Sequence, residues 1–254
     1  MIKIDKRIIF LITLPFFILF IFLLPKFYPI EISDPERISL YLLDDYSLSI
    51  YSDSYPYNGK LSTIQKGLIL ENSSFELVGE GVGFGNPILL INDTLILSNK
   101  SEITKISQNH IKKTFFLNVI DISTDFVAKY LLIDDFGTII INYIKINDTS
   151  IKINIEPNIT KTVDYLIIGN ELSSNFSIYR DSEGYFLNSI PIWNGTLAEK
   201  TCFSDTNIEF CVHSDLKEKY FGRELRGSYL DWAGVSLFLN QIMKFEFLVT
   251  FTFF

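Results

Sequence analysis

Residues 137–156, GTIIINYIKINDTSIKINIE, decide the fold class because they contain two strands and the turn between them. In the second half of this segment every other residue is Ile and the residues between are polar, which is the period of a strand with one face toward water. The residues NDTS at 147–150 are the cluster of small polar side chains that marks a turn. The segment therefore predicts an antiparallel β-hairpin.

The same pattern of short apolar or alternating runs, separated by turn clusters, recurs along most of the chain. Further runs occupy residues 38–43, 61–70, 94–98, 113–121, 126–133, 162–168 and 208–213. The final segment, KFEFLVTFTFF at 244–254, places apolar side chains at alternate positions and is predicted to be a buried strand. Many short strands without helices between them are typical of antiparallel sheets.

Composition also supports an all-β chain. The 254 residues include 38 Ile and 23 Phe but only three Ala, so strand-favouring residues greatly outnumber the strongest helix former. We expect about thirteen to fifteen strands in one large antiparallel β-sandwich over residues 38–254. Two modules divided near residues 155–162 are the alternative. No segment has the apolar stripe of a helix, although the charged residues 215–226 could form one short helix, capped by Asp215 or Ser214.

The run from Ile8 to Leu24, IIFLITLPFFILFIFLL, contains no charged side chain and predicts a transmembrane helix in contact with membrane lipid. Its seventeen residues span about 25 Å at 1.5 Å per residue. Flanking residues up to position 28 extend the segment toward the roughly 30 Å of the hydrocarbon core.

Charge predicts the orientation of this segment. Lys3, Lys6 and Arg7 precede it and acidic residues follow it. The positive-inside rule therefore predicts a cytoplasmic tail at residues 1–7, a linker at 29–37 and an extracellular domain at 38–254. A cleaved signal peptide is the alternative. An uncleaved signal anchor in the cell membrane is favoured, because no Ala, Gly or Ser precedes Ser33 to form a cleavage site.

Net charge excludes one class of partner. The whole chain has a formal charge of −8, and the part after residue 26 retains 18 basic and 29 acidic residues, a formal charge of −11. Phosphate binding needs a basic face, so we expect no nucleic-acid partner. The hydrophobic content of 48% excludes a disordered chain.

Asn-x-Ser/Thr sequons are unusually frequent and predict an N-glycosylated surface. The seven sequons begin at Asn72, Asn92, Asn99, Asn147, Asn158, Asn175 and Asn194. Several of them coincide with expected turns, where a glycan has room in solvent. The alternative is that these Asn residues are unmodified and reflect composition alone.

The two cysteines, Cys202 and Cys211, lie on either side of a turn signal at residues 205–207. A hairpin would bring them face to face, and an extracellular setting permits a disulfide between them. The alternative is a zinc site in which His213, on the same strand face as Cys211, joins both thiols. A fourth ligand is missing from that pattern, so we expect a disulfide and no metal.

The most unusual local motif is GEGVGFGNP at residues 79–87. Its alternate glycines do not match a dinucleotide-binding fingerprint, because an apolar run follows where the phosphate-binding helix should begin. Glycines at every second position let a backbone, a ring or a ligand approach the strand closely. Packing is the simpler interpretation, and Phe84 and Asn86 are the candidate ligand contacts if the motif binds a ligand.

Signatures of catalysis are thin. Only His110 and His213 are available as histidine bases, and neither a G-x-S-x-G nor an H-E-x-x-H motif occurs. The acidic doublets at residues 44–45 and 134–135 cannot form a glycosidase pair alone, because adjacent strand residues point to opposite faces. We assign no catalytic residue and no cofactor, and we favour a non-enzymatic role.

Aromatic residues near turns are the remaining candidates for binding. Trp193 and Trp232, together with tyrosines at 51, 55 and 57, could form platforms for sugar rings, although packing is the simpler role. In architecture, the single long run of antiparallel strands with aromatic loops resembles the supersandwich domains of carbohydrate-processing proteins. That resemblance implies a supersandwich-like fold and assigns no residue role.

Two functions fit this sequence. The first is a single-pass, N-glycosylated cell-surface protein whose external β-sandwich acts in envelope structure or adhesion, with cell-envelope proteins as partners. The second is a carbohydrate-binding or carbohydrate-processing domain on the same anchor, with glycans as partners.

Overall fold

The computed structural model describes residues 36–43, 46–52, 68–72, 75–76, 87–121, 130–132, 135–172, 176–191, 193–225, 231–240 and 242–254. The predicted cytoplasmic tail at 1–7, the membrane segment at 8–28 and all but the last two residues of the linker at 29–37 lie outside these ranges. Within the described ranges, no helix has the length and apolar character needed to span a membrane.

Nineteen strands, numbered in chain order, form the regular structure of the described residues. The first seven are β1 (Arg37–Tyr41), β2 (Ser47–Tyr51), β3 (Leu68–Asn72), β4 (Phe75–Glu76), β5 (Pro87–Ile91), β6 (Thr94–Ser107) and β7 (His110–Asp121). The next seven are β8 (Tyr130–Leu132), β9 (Gly137–Asn147), β10 (Ser150–Ile159), β11 (Tyr165–Leu172), β12 (Ile178–Asp181), β13 (Phe186–Leu187) and β14 (Asn194–Thr196). The last five are β15 (Lys200–Ser204), β16 (Ile208–His213), β17 (Lys219–Leu225), β18 (Asp231–Leu239) and β19 (Phe245–Phe253). The described part of the chain contains no helix, so the predicted all-β class is confirmed.

The predicted hairpin is strands β9 and β10, which pair antiparallel around a turn at residues 148–149. Ile151, Ile153 and Ile155 have no exposed surface, while the polar residues between them are partly exposed. The final strand follows the same rule, because Phe247 and Val249 are buried and face the core. Burying a large apolar side chain contributes about 1.5–3 kcal/mol, so this alternation dictates which face of each strand turns inward.

The helix expected over residues 215–226 is wrong. Residues 219–225 form strand β17, which pairs along its length with β18. Tyr220 is exposed and the next residue, Phe221, is buried in the core, so β17 turns one face inward, and its pairing with β18 prevails over the charged composition. Hydrogen bonding to a neighbouring strand depends on the tertiary structure, so the local helix propensity of these residues does not predict it.

Two antiparallel sheets contain all nineteen strands. The smaller sheet has the order β1-β2-β3-β4. The larger has fifteen strands in the order β13-β12-β15-β16-β19-β10-β9-β7-β6-β5-β11-β18-β17-β14, with β8 paired to β7. Strands before and after residues 155–162 belong to this one sheet, since β10 pairs with β19 and β11 pairs with β5.

The large sheet packs against itself in a β-sandwich-like arrangement. Tyr179 on β12, near one end of the strand order, stacks on Phe221 of β17, near the other end, with ring centroids 3.8 Å apart. Strands β12, β15, β16, β19 and β10 are called the first half-sheet below, and β5, β11, β18 and β17 the second half-sheet. The inward residues of both belong to one hydrophobic core. Each half-sheet therefore has one face in this core and one face away from it, called its outward face, although on β15 and β16 the residues of the outward face, such as Cys202 and Cys211, are buried as well.

Candidate functional site

The outward face of the second half-sheet has three aromatic side chains on three adjacent strands. They are Tyr165 on β11, Phe238 on β18 and Tyr220 on β17, and they are called the aromatic row below. Their chain neighbours Leu166, Leu237 and Phe221 are buried in the core. Because successive strand residues point to opposite faces, the row faces away from the core.

The rings of the aromatic row contact one another edge to face. The centroids of Tyr165 and Phe238 are 5.8 Å apart, and those of Phe238 and Tyr220 are 5.0 Å apart. Both spacings lie in the range of favourable aromatic pairs. Tyr220 is 38% exposed, and the other two rings are half-buried. The row is thus an ordered, partly exposed apolar strip on a sheet surface.

A carboxylate lies at one end of this strip. Glu218, just before β17, accepts a hydrogen bond from the Tyr165 hydroxyl, although the two residues are separated by strand β18. The Glu218 charge is the main cause that raises the pKa of Tyr165 above its ordinary value, and desolvation raises it further. This hydrogen bond holds the Tyr165 ring across β18 beside Phe238.

Asp164 is a second carboxylate beside the aromatic row. It precedes Tyr165, and its Oδ2 accepts a 2.7 Å hydrogen bond from the backbone N–H of Asn92 in the β5–β6 turn. Asn92 and Asp93 both have positive φ, 46° and 60°, as a two-residue hairpin turn requires. The charges of Asp164 and Glu218 both raise the pKa of Tyr165, so the potential at this end of the row is negative.

The backbone of Trp193 lies near the Tyr220 end of the row. A Cβ on Gly222 of β17 would lie 2.4 Å from the Trp193 backbone nitrogen. Gly222 is two residues from Tyr220 and shares its outward direction, so the chain at Trp193 crosses the same face. Glycine is needed at position 222 because a side chain would collide with that crossing segment.

The outward face of the first half-sheet has a different chemistry. Cys202 and Cys211 are directly paired across β15 and β16 and form a disulfide with Cα atoms 4.0 Å apart, which confirms the predicted bond. Both sulfurs are therefore oxidised, and the zinc alternative with His213 is wrong. The His213 Nε2 instead makes a 2.9 Å hydrogen bond with Thr250 Oγ1.

Two ionisable groups next to the disulfide are also satisfied within this face. The guanidinium of Arg180 on β12 binds both carboxylate oxygens of Glu209, which is only 5% exposed. Burial lowers the pKa of His213, and the nearby Lys200 lowers it further. These groups form a stabilising polar cluster, because the bidentate contact with Arg180 satisfies the buried Glu209 carboxylate.

The predicted site residues are dispersed over the described residues and beyond them. Of the sequon residues, Asn92, Asn147, Asn158 and Asn194 are exposed. The backbones of Asn72 and Asn99 lie in β3 and β6, and Asn175 lies outside the described residues. Phe84 and Asn86 lie outside them as well, so the ligand role of the glycine motif stays a prediction.

The two tryptophans and the acidic doublets can be located in part. Trp193 is half-buried, and the backbone of Trp232 lies in β18 opposite Glu224. Asp135 accepts a 2.7 Å hydrogen bond from the Gly137 N–H and so caps a turn. Its neighbour at 134 and the doublet at 44–45 lie outside the described residues.

Sequence reasoning missed the aromatic row itself. The signal was present in the alternation of residues 231–239, where Phe238 has the opposite parity to the apolar residues Val235 and Leu237. Tyr220 was not recognised as a strand residue, because residues 215–226 were assigned to a short helix. No local pattern could have joined Tyr165, Phe238 and Tyr220, because strand order alone brings them together.

Comparisons with known proteins identify a similar fold but no family. No family model matches the chain. No curated protein sequence matches it either. A solved structure with a similar fold is the alpha-N-acetylgalactosaminidase NagBb from Bifidobacterium bifidum in complex with GalNAc, with a TM-score of 0.52 and 9% sequence identity. The match covers 85% of this chain and 36% of that one, so this chain spans about a third of the other protein's length.

Proposed function

We propose that this chain is a single-pass, membrane-anchored surface protein whose external β-domain binds carbohydrate through the aromatic row. The row itself is the observation that carries the proposal. Sugar rings have an apolar C–H face that packs on aromatic rings, and hydroxyl groups that donate to carboxylates such as Glu218. An ordered strip of three rings beside two carboxylates matches both requirements.

The fold likeness to a glycosidase bound to GalNAc favours a carbohydrate-related role. At 9% identity it supports the architecture and assigns no residue. The chain corresponds to about a third of that enzyme, so hydrolysis of a glycosidic bond is not carried over to it. Carbohydrate binding without catalysis is the simpler function. The two carboxylates beside the row already have structural partners, since Glu218 interacts with the Tyr165 hydroxyl and Asp164 with the Asn92 turn.

The binding proposal is tested by a glycan array probed with the full chain in a detergent that has no sugar headgroup. We expect saturable binding to a subset of glycans, and a threefold to tenfold loss of affinity in Tyr220→Ala, about the energy of one aromatic contact. Tyr41→Ala is the matched control, because Tyr41 is 74% exposed on β1 in the smaller sheet. An array without hits, or equal losses in both variants, contradicts the proposal.

The anchor and the glycans are proposed from the sequence. The run from Ile8 to Leu24 supports a signal anchor with the N-terminus in the cytoplasm. Exposure of Asn92, Asn147, Asn158 and Asn194 supports glycosylation of the external domain. Protease treatment of intact cells should digest the domain, and peptide N-glycosidase should lower its mass. A domain that resists protease on intact cells excludes the proposed orientation.

A second candidate function is adhesion to a cell-envelope protein without sugar binding. It is favoured by β13 and the residue before it, because Phe186 and Tyr185 are 57% and 52% exposed and, among the described strands, β13 ends the strand order of the large sheet and pairs with β12 alone. Under this function, cells that display the chain should lose adhesion with Phe186→Asp and keep it with Tyr220→Ala. Sugar binding predicts the reverse pattern.

A further inference from the structure

We infer that the ligand of the aromatic row is an uncharged, extended oligosaccharide whose chain runs obliquely across β11, β18 and β17 and covers all three rings. This inference rests on the proposed carbohydrate binding. It adds the length, the direction and the charge class of the glycan.

Strand register sets the direction of the row. Phe238 pairs with Ile167, which is two residues along β11 from Tyr165. Tyr220 pairs with Ser236, which is two residues along β18 from Phe238. Each step thus moves one strand across and two residues along while staying on one face. The rings form a diagonal, and a ligand that contacts all of them must cross the strands.

Ring spacing sets the length of the ligand. The centroid separations of 5.8 and 5.0 Å place one aromatic ring after another, and because the planes of adjacent rings are nearly perpendicular, at 75° and 70°, a ligand that covers the row meets ring faces and ring edges in turn. A monosaccharide covers one of these rings and leaves the others in water. A linear trisaccharide gains apolar contact at each step, and the second and third contacts lose no further translational entropy.

Preorganisation favours an extended ligand. The Tyr165 ring packs edge to face on Phe238, and the Glu218 carboxylate interacts with its hydroxyl from across β18. Phe238 is held between its two aromatic neighbours. Side chains that are already ordered lose little conformational entropy on binding, and affinity therefore accumulates along the row.

Charge determines the class of the sugar. Two carboxylates act on the Tyr165 end of the row: Glu218, and Asp164, whose Oδ2 is held by the Asn92 N–H at 2.7 Å. A glycan that carries uronic or sialic acids would bring further negative charge close to both groups, and like charges repel at this distance. Neutral hydroxyl and N-acetyl groups avoid that repulsion, and hydroxyls can donate to Glu218.

The experiment is calorimetric titration of the full chain, in low salt, with matched monomers and linear trimers of glucose, N-acetylglucosamine, mannose, galactose and N-acetylgalactosamine. A trimer of galacturonic acid provides the anionic ligand. We expect at least one neutral trimer to bind about tenfold more tightly than its monomer, and the anionic trimer to bind about tenfold more weakly than that neutral trimer. In 1 M salt the charge discrimination should shrink, because the Debye length falls to about 3 Å.

Two variants separate length from charge. Tyr220→Ala should weaken binding of the trimer more than binding of the monomer and so remove most of the trimer advantage, because the trimer contacts all three rings. Glu218→Gln keeps an acceptor for the Tyr165 hydroxyl but removes its charge, so the affinity ratio of anionic to neutral trimer should rise about fivefold. Tyr41→Ala should change neither quantity.

The outcomes distinguish this inference from the proposed function. Binding of every monomer as tightly as its trimer, or preference for the galacturonic acid trimer, overturns the inference and leaves carbohydrate binding intact. A chain that binds none of these sugars and no glycan on the array overturns both.

Discussion

The two half-sheets share one core, but their outward faces have opposite chemistry. On or beside the first half-sheet, three ion pairs join charged side chains: Arg180 with Glu209, Lys152 with Glu246, and Lys244 with Glu156. On the second, three aromatic rings pack on one another and stay partly exposed. Paired charges are already satisfied, whereas partly exposed rings can still gain contact area from a ligand. This contrast is the reason that the proposed binding surface lies on the second half-sheet rather than on the first.

The sharpest test of this contrast uses two neighbouring residues on β17. Phe221→Ala should lower the free energy of unfolding by about 3–5 kcal/mol, because it removes a buried ring that stacks on Tyr179 between the half-sheets. Tyr220→Ala, on the outward face, should change stability by less than about 1 kcal/mol while weakening sugar binding. Urea denaturation measures the first effect and the glycan array the second. Equal losses of stability in both variants would remove the distinction between the two faces.

Removal of the disulfide is expected to have the next largest effect. The double variant Cys202→Ala/Cys211→Ala should lose about 2–3 kcal/mol of stability, since the bond closes a short loop with a sequence separation of 9. Carbohydrate affinity should be unchanged, because the bond lies on the first half-sheet. Thermal unfolding and titration with the same neutral trimer check both statements. A parallel drop in affinity would mean that the two faces are coupled.

Gly222→Ala should cost about 1–3 kcal/mol by overpacking. Its new Cβ would lie 2.4 Å from a backbone atom of Trp193, so the crossing segment must move. Gly195→Ala is the control, because the nearest atom to its Cβ is 3.9 Å away, in the Tyr220 ring. Denaturation midpoints of the two variants give the comparison. If Gly222→Ala is as stable as Gly195→Ala, the segment at Trp193 does not cross this face tightly.

The smallest effect is expected for the exposed ion pairs of the first half-sheet. Glu246→Ala breaks a 2.7 Å contact with Lys152 and should cost less than about 1 kcal/mol, because both side chains remain in contact with water. The loss should disappear in 1 M salt, where exposed charges are screened. Urea titrations at low and high salt measure it. A loss that persists in high salt would indicate that this pair is not a simple surface contact.

More of the fold than of the candidate site could be predicted from the sequence. Alternation identified the β9–β10 hairpin, the burial of β19 and the pairing of Cys202 with Cys211, because each depends on residues that are close in sequence. Strand β17 was missed because the charged composition of residues 215–226 favours a helix locally, and only its pairing with β18 reverses that preference. The zinc alternative failed because the same pairing joins both sulfurs.

By itself, the sequence determined the strand class, the inward faces of β10 and β19 and the acidic charge, since a period of two and a residue count need no tertiary information. The tertiary structure alone decided that β11, β18 and β17 are neighbours and that Tyr165, Phe238 and Tyr220 meet. Their positions in the chain are up to 73 residues apart, between Tyr165 and Phe238. No local periodicity encodes such a contact, because strand order depends on how the whole sheet closes over its core.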